Sequence, residues 1–193
     1  MGEIVSKQKG SEGSSALISE SVQQWAEEAW QQIVNKVEST SQRIGVSFPH
    51  ASVNGVYDNM RPSWWTAGFW PGILWHIAED GHHPGLQGIA ELIEEKLDEP
   101  LYSLAVHHDA GFIWTLSSVA DYRITGSERS KHRGLMAAAQ LASRFNVKGS
   151  FIRAWHDLEQ VNRAGWSIID TVMNLPLLYW ASEVTEDPRF RHI

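Results

Sequence analysis

The segment Arg163-Ala-Gly-Trp-Ser-Ile-Ile-Asp-Thr-Val-Met-Asn-Leu-Pro-Leu-Leu-Tyr-Trp-Ala-Ser182 places one carboxylate, Asp170, within an otherwise apolar run. Burial disfavours the ionised form of a carboxyl group, so a buried Asp170 would keep its proton near neutral pH and could serve as a general acid. The same residue could instead cap a helix, because Pro176 is tolerated near a helix start and a start near Asp170 or Asn174 suits both residues. Taken alone, the segment favours the cap.

Two earlier parts of the chain resemble this segment when residues 66–80 and 109–123 are aligned with residues 170–184. Each part opens on a polar residue, continues as an apolar run of helical length and ends in a turn signal. A second helical stretch follows the first two turns, at residues 86–97 and 131–145. The pattern is typical of repeated helical hairpins.

The alignment also predicts where a functional site lies. Equivalent positions of repeated hairpins lie at the same end of the array, so Thr66, Asp109 and Asp170 should gather on one face. Aromatic and histidine residues stand close to these positions in the sequence, namely Trp65, His107, His108, Trp155 and Trp166. Asp109 and Asp170 could still be two helix caps, but the neighbouring aromatic and histidine residues favour an active site.

Composition narrows the classes of partner. Ten tryptophans are a density that often accompanies stacking on sugar rings, although core packing also uses tryptophan. The formal net charge of -7 argues against nucleic acid or another polyphosphate as partner, because such ligands need a basic surface. The absence of cysteine excludes disulfides and thiolate metal sites.

The chain is predicted to form one domain behind a disordered tail. Residues 1–18 are mostly polar, and the domain is expected over residues 19–193, beginning with an amphipathic helix at 19–44. Residues 47–63 are predicted to be an irregular loop. The start of the chain has no apolar signal-peptide core, and no apolar run reaches the ~18–20 residues that span a membrane. We therefore expect a cytoplasmic protein without a membrane partner.

No metal or nucleotide motif is recognisable. His107-His108-Asp109 suggests a metal site, but adjacent residues rarely point at one ion, and a His-x-x-x-His partner is missing from the sequence. The serines lie outside any Gly-x-Ser-x-Gly elbow, and no glycine-rich phosphate loop is present. Neither a metal nor a serine nucleophile is expected.

Three motifs resemble the unsaturated glucuronyl hydrolases, glycoside hydrolase family 88. They are Trp65-Thr-Ala-Gly-Phe-Trp-Pro-Gly72, His107-His-Asp-Ala-Gly-Phe112 and the stretch from Gly165 to Trp180 in the segment quoted first. The third motif is long enough to be specific. The related unsaturated rhamnogalacturonyl hydrolases share the fold but match the His-His-Asp stretch less well.

The resemblance implies an all-α fold, the α6/α6 barrel of six helical hairpins, and no metal or cofactor. It implies removal of a 4,5-unsaturated glucuronyl residue from the non-reducing end of an oligosaccharide left by a polysaccharide lyase. By the same resemblance Asp170 would be the acid/base residue and Asp109 the second essential carboxylate. Trp65, His108 and Trp155 would line the sugar subsite.

The pattern supplies about three hairpins where the family's barrel has six, so we expect about half of the barrel to be present. Half a barrel exposes apolar faces that the other hairpins would cover, and such faces mark an interface. A homodimer through this open edge is therefore possible. Two alternatives to the enzyme remain: an inactive carbohydrate-binding protein and a helical-repeat interaction protein.

Overall fold

The computed structural model describes residues 20–103, 106–155 and 162–193. The predicted disordered tail, residues 1–18, lies outside the described residues. By its internal contacts the chain divides into a first unit, Met1–Lys36, and a larger unit, Val37–Ile193. All packing described below is within the larger unit.

The described residues form nine α-helices, two short ladders and two 3₁₀ turns. The helices are α1 Glu20–Ile44, α2 Phe69–Ala78, α3 Pro84–Lys96, α4 Asp98–Leu101, α5 Ala110–Leu116, α6 Ser118–Thr125, α7 Glu128–Ser143, α8 Thr171–Asn174 and α9 Pro176–Thr185. The ladders pair β1 Ser52–Val53 with β2 Val56–Tyr57 and β3 Phe145–Asn146 with β4 Phe151–Ile152, both antiparallel. The 3₁₀ turns are Trp65–Gly68 and Phe190–His192.

The predicted hairpins are present. Helix α2 packs against α3, and the broken helix α5–α6 packs against α7. The turn into α7 is built by Gly126, whose φ of 76° ends α6 in the left-handed region, and by Ser127, whose hydroxyl accepts the Ser130 backbone N–H. Helix α9 ends at a turn that leads to the last 3₁₀ turn. The predicted pattern of helical hairpins is therefore confirmed, with the differences in helix bounds described next.

The first helices of the second and third hairpins are each interrupted, which the sequence pattern did not predict. Helix α5 ends before Ser117, whose φ and ψ of -104° and -91° are not helical and whose hydroxyl donates to the Ile113 carbonyl at 2.6 Å. Helix α8 ends at Asn174, and α9 begins at Pro176. Proline has no N–H to give to the preceding turn and is favoured in the first turn of a helix, which explains the second interruption.

Two other predictions need correction. The loop at 47–63 contains the ladder of β1 and β2, because Asn54 and Gly55 both have positive φ and form a tight turn. The helix predicted at 131–145 ends at Ser143, since Phe145 pairs with Ile152 as a strand.

The core between the hairpins is large and aromatic. Four of its tryptophans are buried, Trp70, Trp75, Trp114 and Trp180, together with leucines and isoleucines of the same helices. Part of the high tryptophan content is therefore explained by packing. One carboxylate, Glu94, is also fully buried and accepts hydrogen bonds from the Trp75 indole and the Ser118 hydroxyl. None of the described helices combines the length and the apolar character that crossing a bilayer requires.

Candidate active site

Asp109 and Asp170 stand at the same place in two hairpins, immediately before α5 and before α8. Both occupy the N-cap position, yet neither side chain accepts a capping hydrogen bond. Their backbones have φ and ψ near -60° and -7°, and near -69° and -11°, which is helical, whereas a capping residue normally has extended backbone. The helix-cap interpretation therefore fails for both residues, and the two carboxyl groups point elsewhere.

Asn174 joins the two helix starts. Its side-chain oxygen accepts the Phe112 backbone N–H at 2.8 Å, and its amide nitrogen donates to the Asp170 carbonyl at 3.1 Å. Gly111 lies against the Asn174 backbone, where no side chain would fit. Because Asn174 is fully buried and bonded on both sides, it fixes α5 and α8 in one arrangement.

This arrangement brings both carboxyl groups to one histidine. The Nε2 atom of His108 lies 3.5 Å from Asp109 Oδ1 and 3.4 Å from Asp170 Oδ1. One donor atom of each of the three residues lies within 4.8 Å of the others. The prediction that Asp109 and Asp170 gather on one face is confirmed. Thr66, the third residue of the alignment, instead directs its hydroxyl to the Pro49 carbonyl.

The two carboxyl groups differ in exposure. The Asp109 side chain is 16% exposed and the Asp170 side chain 37% exposed, so the expectation of a buried Asp170 is wrong. Asp170 immediately precedes the short helix α8, and its neighbour Ile169 is itself exposed, so the apolar run around it is not a core segment. Oδ1 of Asp170 is buried, and it has no hydrogen-bond partner among the described residues.

Asp109 is the carboxyl whose ionisation is perturbed. Burial, followed by the charge of Asp170, raises the pKa of Asp109 to about 6. The guanidinium of Arg144 acts in the opposite direction. Arg144 is held near this site by hydrogen bonds to the carbonyls of Arg153 and Ala154. The site therefore combines two close carboxyl groups with one half-buried cation.

His108 lies beneath the carboxyl groups. Its side chain is 1% exposed, and its second ring nitrogen, Nδ1, lies 3.1 Å from the Thr171 hydroxyl. Burial lowers the pKa of His108 despite the opposing attraction of Asp170. The buried ring exposes no face on which a sugar could stack, and its observed polar contacts are with Asp109, Asp170 and Thr171. Its place in the sugar subsite stays a prediction.

Trp65 belongs to an exposed aromatic group next to α5. Its side chain is 42% exposed, and its ring centroid lies 5.9 Å from that of Phe69 and 6.5 Å from that of Phe112. Phe112 is three residues after Asp109. Trp65 is therefore exposed to solvent and contacts the helix that begins just after Asp109.

Trp155 belongs to a second aromatic group. Its ring lies 5.9 Å from the ring of Trp166, and the Arg163 guanidinium lies over both rings. Backbone hydrogen bonds tie this group to the site, because Ala154 accepts from the His108 N–H and donates to the Trp166 carbonyl. Residues 156–161, which follow Trp155, lie outside the described residues.

Three residues of the site were missed from the sequence: Arg144, Thr171 and Asn174. Asn174 follows Asp170 by one helical turn, a spacing that could have indicated its bond to the Asp170 carbonyl. Thr171 carried no signal, because its contact is with His108 in another hairpin. Arg144 lies just after α7, and nothing local indicates its proximity to Asp109.

His108, Asp109 and Asp170 are also the described residues that could hold a metal ion. One imidazole nitrogen and two carboxylate oxygens form a donor set that zinc accepts. The expectation that the site uses no metal remains a prediction.

No protein-family model matches the chain. Individual relatives do. The chain is 32% identical over 176 residues to the unsaturated glucuronyl hydrolase of Bacillus sp. strain GL1, covering 85% of this chain and 45% of that protein. It is 34% identical over 170 residues to the unsaturated chondroitin disaccharide hydrolase of Streptococcus agalactiae, covering 86% of this chain and 42% of that protein.

Solved structures give the same result. The crystal structure of the Streptococcus agalactiae unsaturated glucuronyl hydrolase matches with a TM-score of 0.78 and 32% identity over 86% of this chain and 42% of that one. That of the Bacillus enzyme matches with a TM-score of 0.77 and 33% identity over 84% of this chain and 45% of that one. The hairpins described above are thus those of the α6/α6 barrel type. By sequence and by fold, the chain is a relative of the unsaturated glucuronyl hydrolases, and it spans about half of the length of the relatives that it matches.

Proposed function

We propose that this chain provides the acid/base carboxyl groups of an unsaturated glucuronyl hydrolase. The reaction is release of a 4,5-unsaturated glucuronic acid residue from the non-reducing end of lyase-generated oligosaccharides. Asp170 is the acid/base residue and Asp109 the assisting carboxylate. The observation that carries the proposal is the convergence of both carboxyl groups on His108, in the part of the chain that matches the hydrolases.

The substrate class is supported by what the relatives act on. One relative is named for unsaturated chondroitin disaccharide, and the Bacillus structure is described as responsible for degradation of glycosaminoglycan. A further Streptococcus agalactiae structure holds dGlcA-GalNAc6S, an unsaturated glucuronyl disaccharide. The same class of substrate is proposed here.

The reaction is a hydration. The substrate is an enol ether conjugated to a carboxylate, so a proton added to C4 leaves an oxocarbenium-like centre at C5. Water adds at C5 and gives up a proton, and the resulting hemiketal opens and releases the aglycone. One carboxyl group can donate the first proton and accept the second, so the reaction is balanced without any co-reactant except water.

The difference in exposure supports the two proposed roles. Asp170 is the more exposed carboxyl group, so it is the one that a bound sugar can touch. Asp109 lies deeper, and burial followed by the charge of Asp170 raises its pKa to about 6. Once ionised, Asp109 would stabilise positive charge developing at C5. Ordinary glycosidases instead place two carboxyl groups on either side of the glycosidic bond itself.

The exposed aromatic groups would bind the sugar. Trp65 contacts Phe112, three residues after Asp109, and Trp155 follows Ala154, whose backbone is hydrogen-bonded to His108. Sugar rings stack on aromatic faces through their apolar C–H surface. Trp65 and Trp155 are therefore proposed as sugar-binding residues.

A second candidate function is carbohydrate binding without turnover. It is favoured by the exposed aromatic side chains of Trp65 and Trp166, on which a sugar ring can stack whether or not it reacts. Isothermal titration of an unsaturated disaccharide into the chain would then give a heat of binding without consumption of the ligand. Consumption of the disaccharide would exclude this candidate.

We further propose that two copies of the chain associate through the open edge. Several large apolar side chains of the hairpins are exposed, among them Phe69, Ile73, Val172 and Met173. Phe69 and Ile73 also line a groove of about 440 Å³ between α2 and α5–α6. Light scattering should give the mass of a dimer, and a monomer at all concentrations would contradict this proposal.

An isotope experiment tests the reaction type. When the chain acts on an unsaturated disaccharide in ¹⁸O-labelled water, hydration places the label on C5 of the released sugar. Direct hydrolysis of the glycosidic bond would place it on C1. Mass-spectrometric fragmentation of the product distinguishes the two positions, and a label on C1 would overturn the proposed reaction.

A further inference from the structure

Thr171 hydrogen-bonds the side chain of His108. Its Oγ1 lies 3.1 Å from His108 Nδ1, and the Ser167 hydroxyl lies 3.4 Å from the same Oγ1. The other ring nitrogen, Nε2, faces the two aspartates. The imidazole is therefore held between a hydroxyl on one edge and two carboxyl groups on the other.

The positions of the hydrogen atoms follow from what each group can donate. If Nε2 carried no proton, its lone pair would face oxygens of Asp109 and Asp170 inside a buried site, which is repulsive. A proton on Nε2 turns both contacts into attractive ones. In a neutral ring Nδ1 is then an acceptor, and the Thr171 hydroxyl must donate to it.

A doubly protonated ring is the competing arrangement, in which Nδ1 would donate to Thr171 Oγ1. It would place a charge on a side chain that is 1% exposed. Burial lowers the pKa of His108, and the nearby Arg144 acts in the same direction. The neutral ring is thus favoured near pH 7.

We propose that Thr171 is a positioning residue that fixes the proton of His108 on Nε2, where it faces both Asp109 and Asp170. The proposal rests on the proposed function for its meaning in the reaction, but the proton position is a property of the free protein. Thr171 adjoins Asp170 in the chain, so the same short helix start supplies a carboxyl group and the hydroxyl that orients the histidine beneath it.

The consequence for the reaction concerns the moment after proton donation. When Asp170 has given its proton to the sugar, its buried Oδ1 becomes part of an anion without a hydrogen-bond partner among the described residues. The Nε2–H of His108, 3.4 Å away, is a donor that could stabilise that charge. Without the Thr171 hydroxyl, the His108 proton is free to move to Nδ1, and the donor is lost.

The test is the tautomer of His108 in the free chain, read from the ¹⁵N shifts and couplings of its ring nitrogens by NMR. The His108→Gln variant identifies the signals. We expect a neutral ring with the proton on Nε2 in the parent chain, a mixture of tautomers or a proton on Nδ1 in Thr171→Val, and the parent pattern again in Thr171→Ser.

Thr115→Val is the matched control. Thr115 lies in α5, and its buried hydroxyl finds no hydrogen-bond partner among the described residues, so the same change there should leave the His108 signals unaltered. A proton on Nδ1 in the parent chain, a charged ring near pH 7, or identical His108 signals in Thr171→Val and the parent would each overturn the proposal.

Kinetics separate this inference from the proposed function. In a chain that turns over substrate, Thr171→Val should lower kcat by about tenfold or more with little change in KM, because the lost donor acts on charge that forms during the reaction. Thr171→Ser should recover most of that loss. A parent chain with the expected tautomer but no turnover would refute the proposed function and leave the positioning role standing.

Discussion

A Cβ atom placed on Gly111 would lie 2.3 Å from the Cα of Asn174. This is closer than nonbonded carbon atoms approach one another, so the helices α5 and α8 can meet only because residue 111 has no side chain. The contact sets the separation of the two helix starts, and with it the separation of Asp109 and Asp170.

Gly111→Ala should therefore destabilise the chain. The added methyl group meets backbone, which cannot rotate away, so the free energy of unfolding should fall by about 1–3 kcal/mol or more. Urea unfolding followed by circular dichroism measures the change. Gly88→Ala is the matched control, because Gly88 lies in α3 with open space around it and the change should stabilise that helix by about 0.5–1 kcal/mol. Equal stability of Gly111→Ala and the parent chain would show that the helices are not in this contact.

The ionisation of Asp109 should respond to Arg144. Because this guanidinium lowers the pKa of Asp109, Arg144→Gln should raise that pKa above its value of about 6. Carboxyl ¹³C NMR titration measures the shift, with Asp109→Asn to identify the signal. Arg129→Gln serves as control, since Arg129 pairs with Glu95 and Asp98 at the surface. A pKa of Asp109 that falls or stays constant in Arg144→Gln would contradict the arrangement.

The stability of the chain should depend on pH through Glu94. Burial, followed by the charge of Asp121, raises the pKa of Glu94 from 4.5 to about 7. A carboxyl group with a raised pKa in the folded state stabilises the fold fully below its unfolded pKa and loses that contribution as the pH rises through the folded value. The free energy of unfolding should thus fall between about pH 4.5 and 7, by on the order of 3 kcal/mol from this group.

Glu94→Gln removes the titrating proton and should flatten this dependence, whatever it does to stability at one pH. Denaturant unfolding at a series of pH values is the measurement. Glu79→Gln, at an exposed position at the end of α2, provides the comparison. A slope that persists unchanged in Glu94→Gln would assign the pH dependence to other groups.

Chelation tests the expectation that no metal is used. If His108, Asp109 and Asp170 act only through protons, dialysis against a chelator should leave both turnover and the unfolding temperature unchanged. Loss of activity that returns on addition of zinc would instead identify the same three residues as a metal site.

Some features of the site depend only on the local sequence pattern, and these could be predicted. The pairing of Asp109 with Asp170 was predictable because both open an apolar helix and the chain repeats its hairpin. The N-cap positions were predictable as well, but the helical backbone at both residues, which prevents capping, was not. That backbone is fixed by the packing of α5 on α8.

The remaining parts depend on contacts between distant segments. The hydrogen bond between His108 and Thr171 joins residues of two different hairpins. The position of Arg144 depends on the carbonyls of Arg153 and Ala154, which follow β4. The exposure of Asp170 was mispredicted because an apolar neighbourhood in sequence was taken as burial, whereas Ile169, Val172 and Met173 are themselves exposed. An apolar run in the sequence is therefore not by itself evidence of burial.

The most direct test of the account is the absorbance of the conjugated double bond in an unsaturated glucuronyl disaccharide, followed over time with the parent chain and with Asp170→Asn. Asp80→Asn, a change of the same kind in the turn after α2, is the control. The account predicts that absorbance falls with the parent and with Asp80→Asn but stays constant with Asp170→Asn. Constant absorbance with the parent chain, or an undiminished fall with Asp170→Asn, would contradict it.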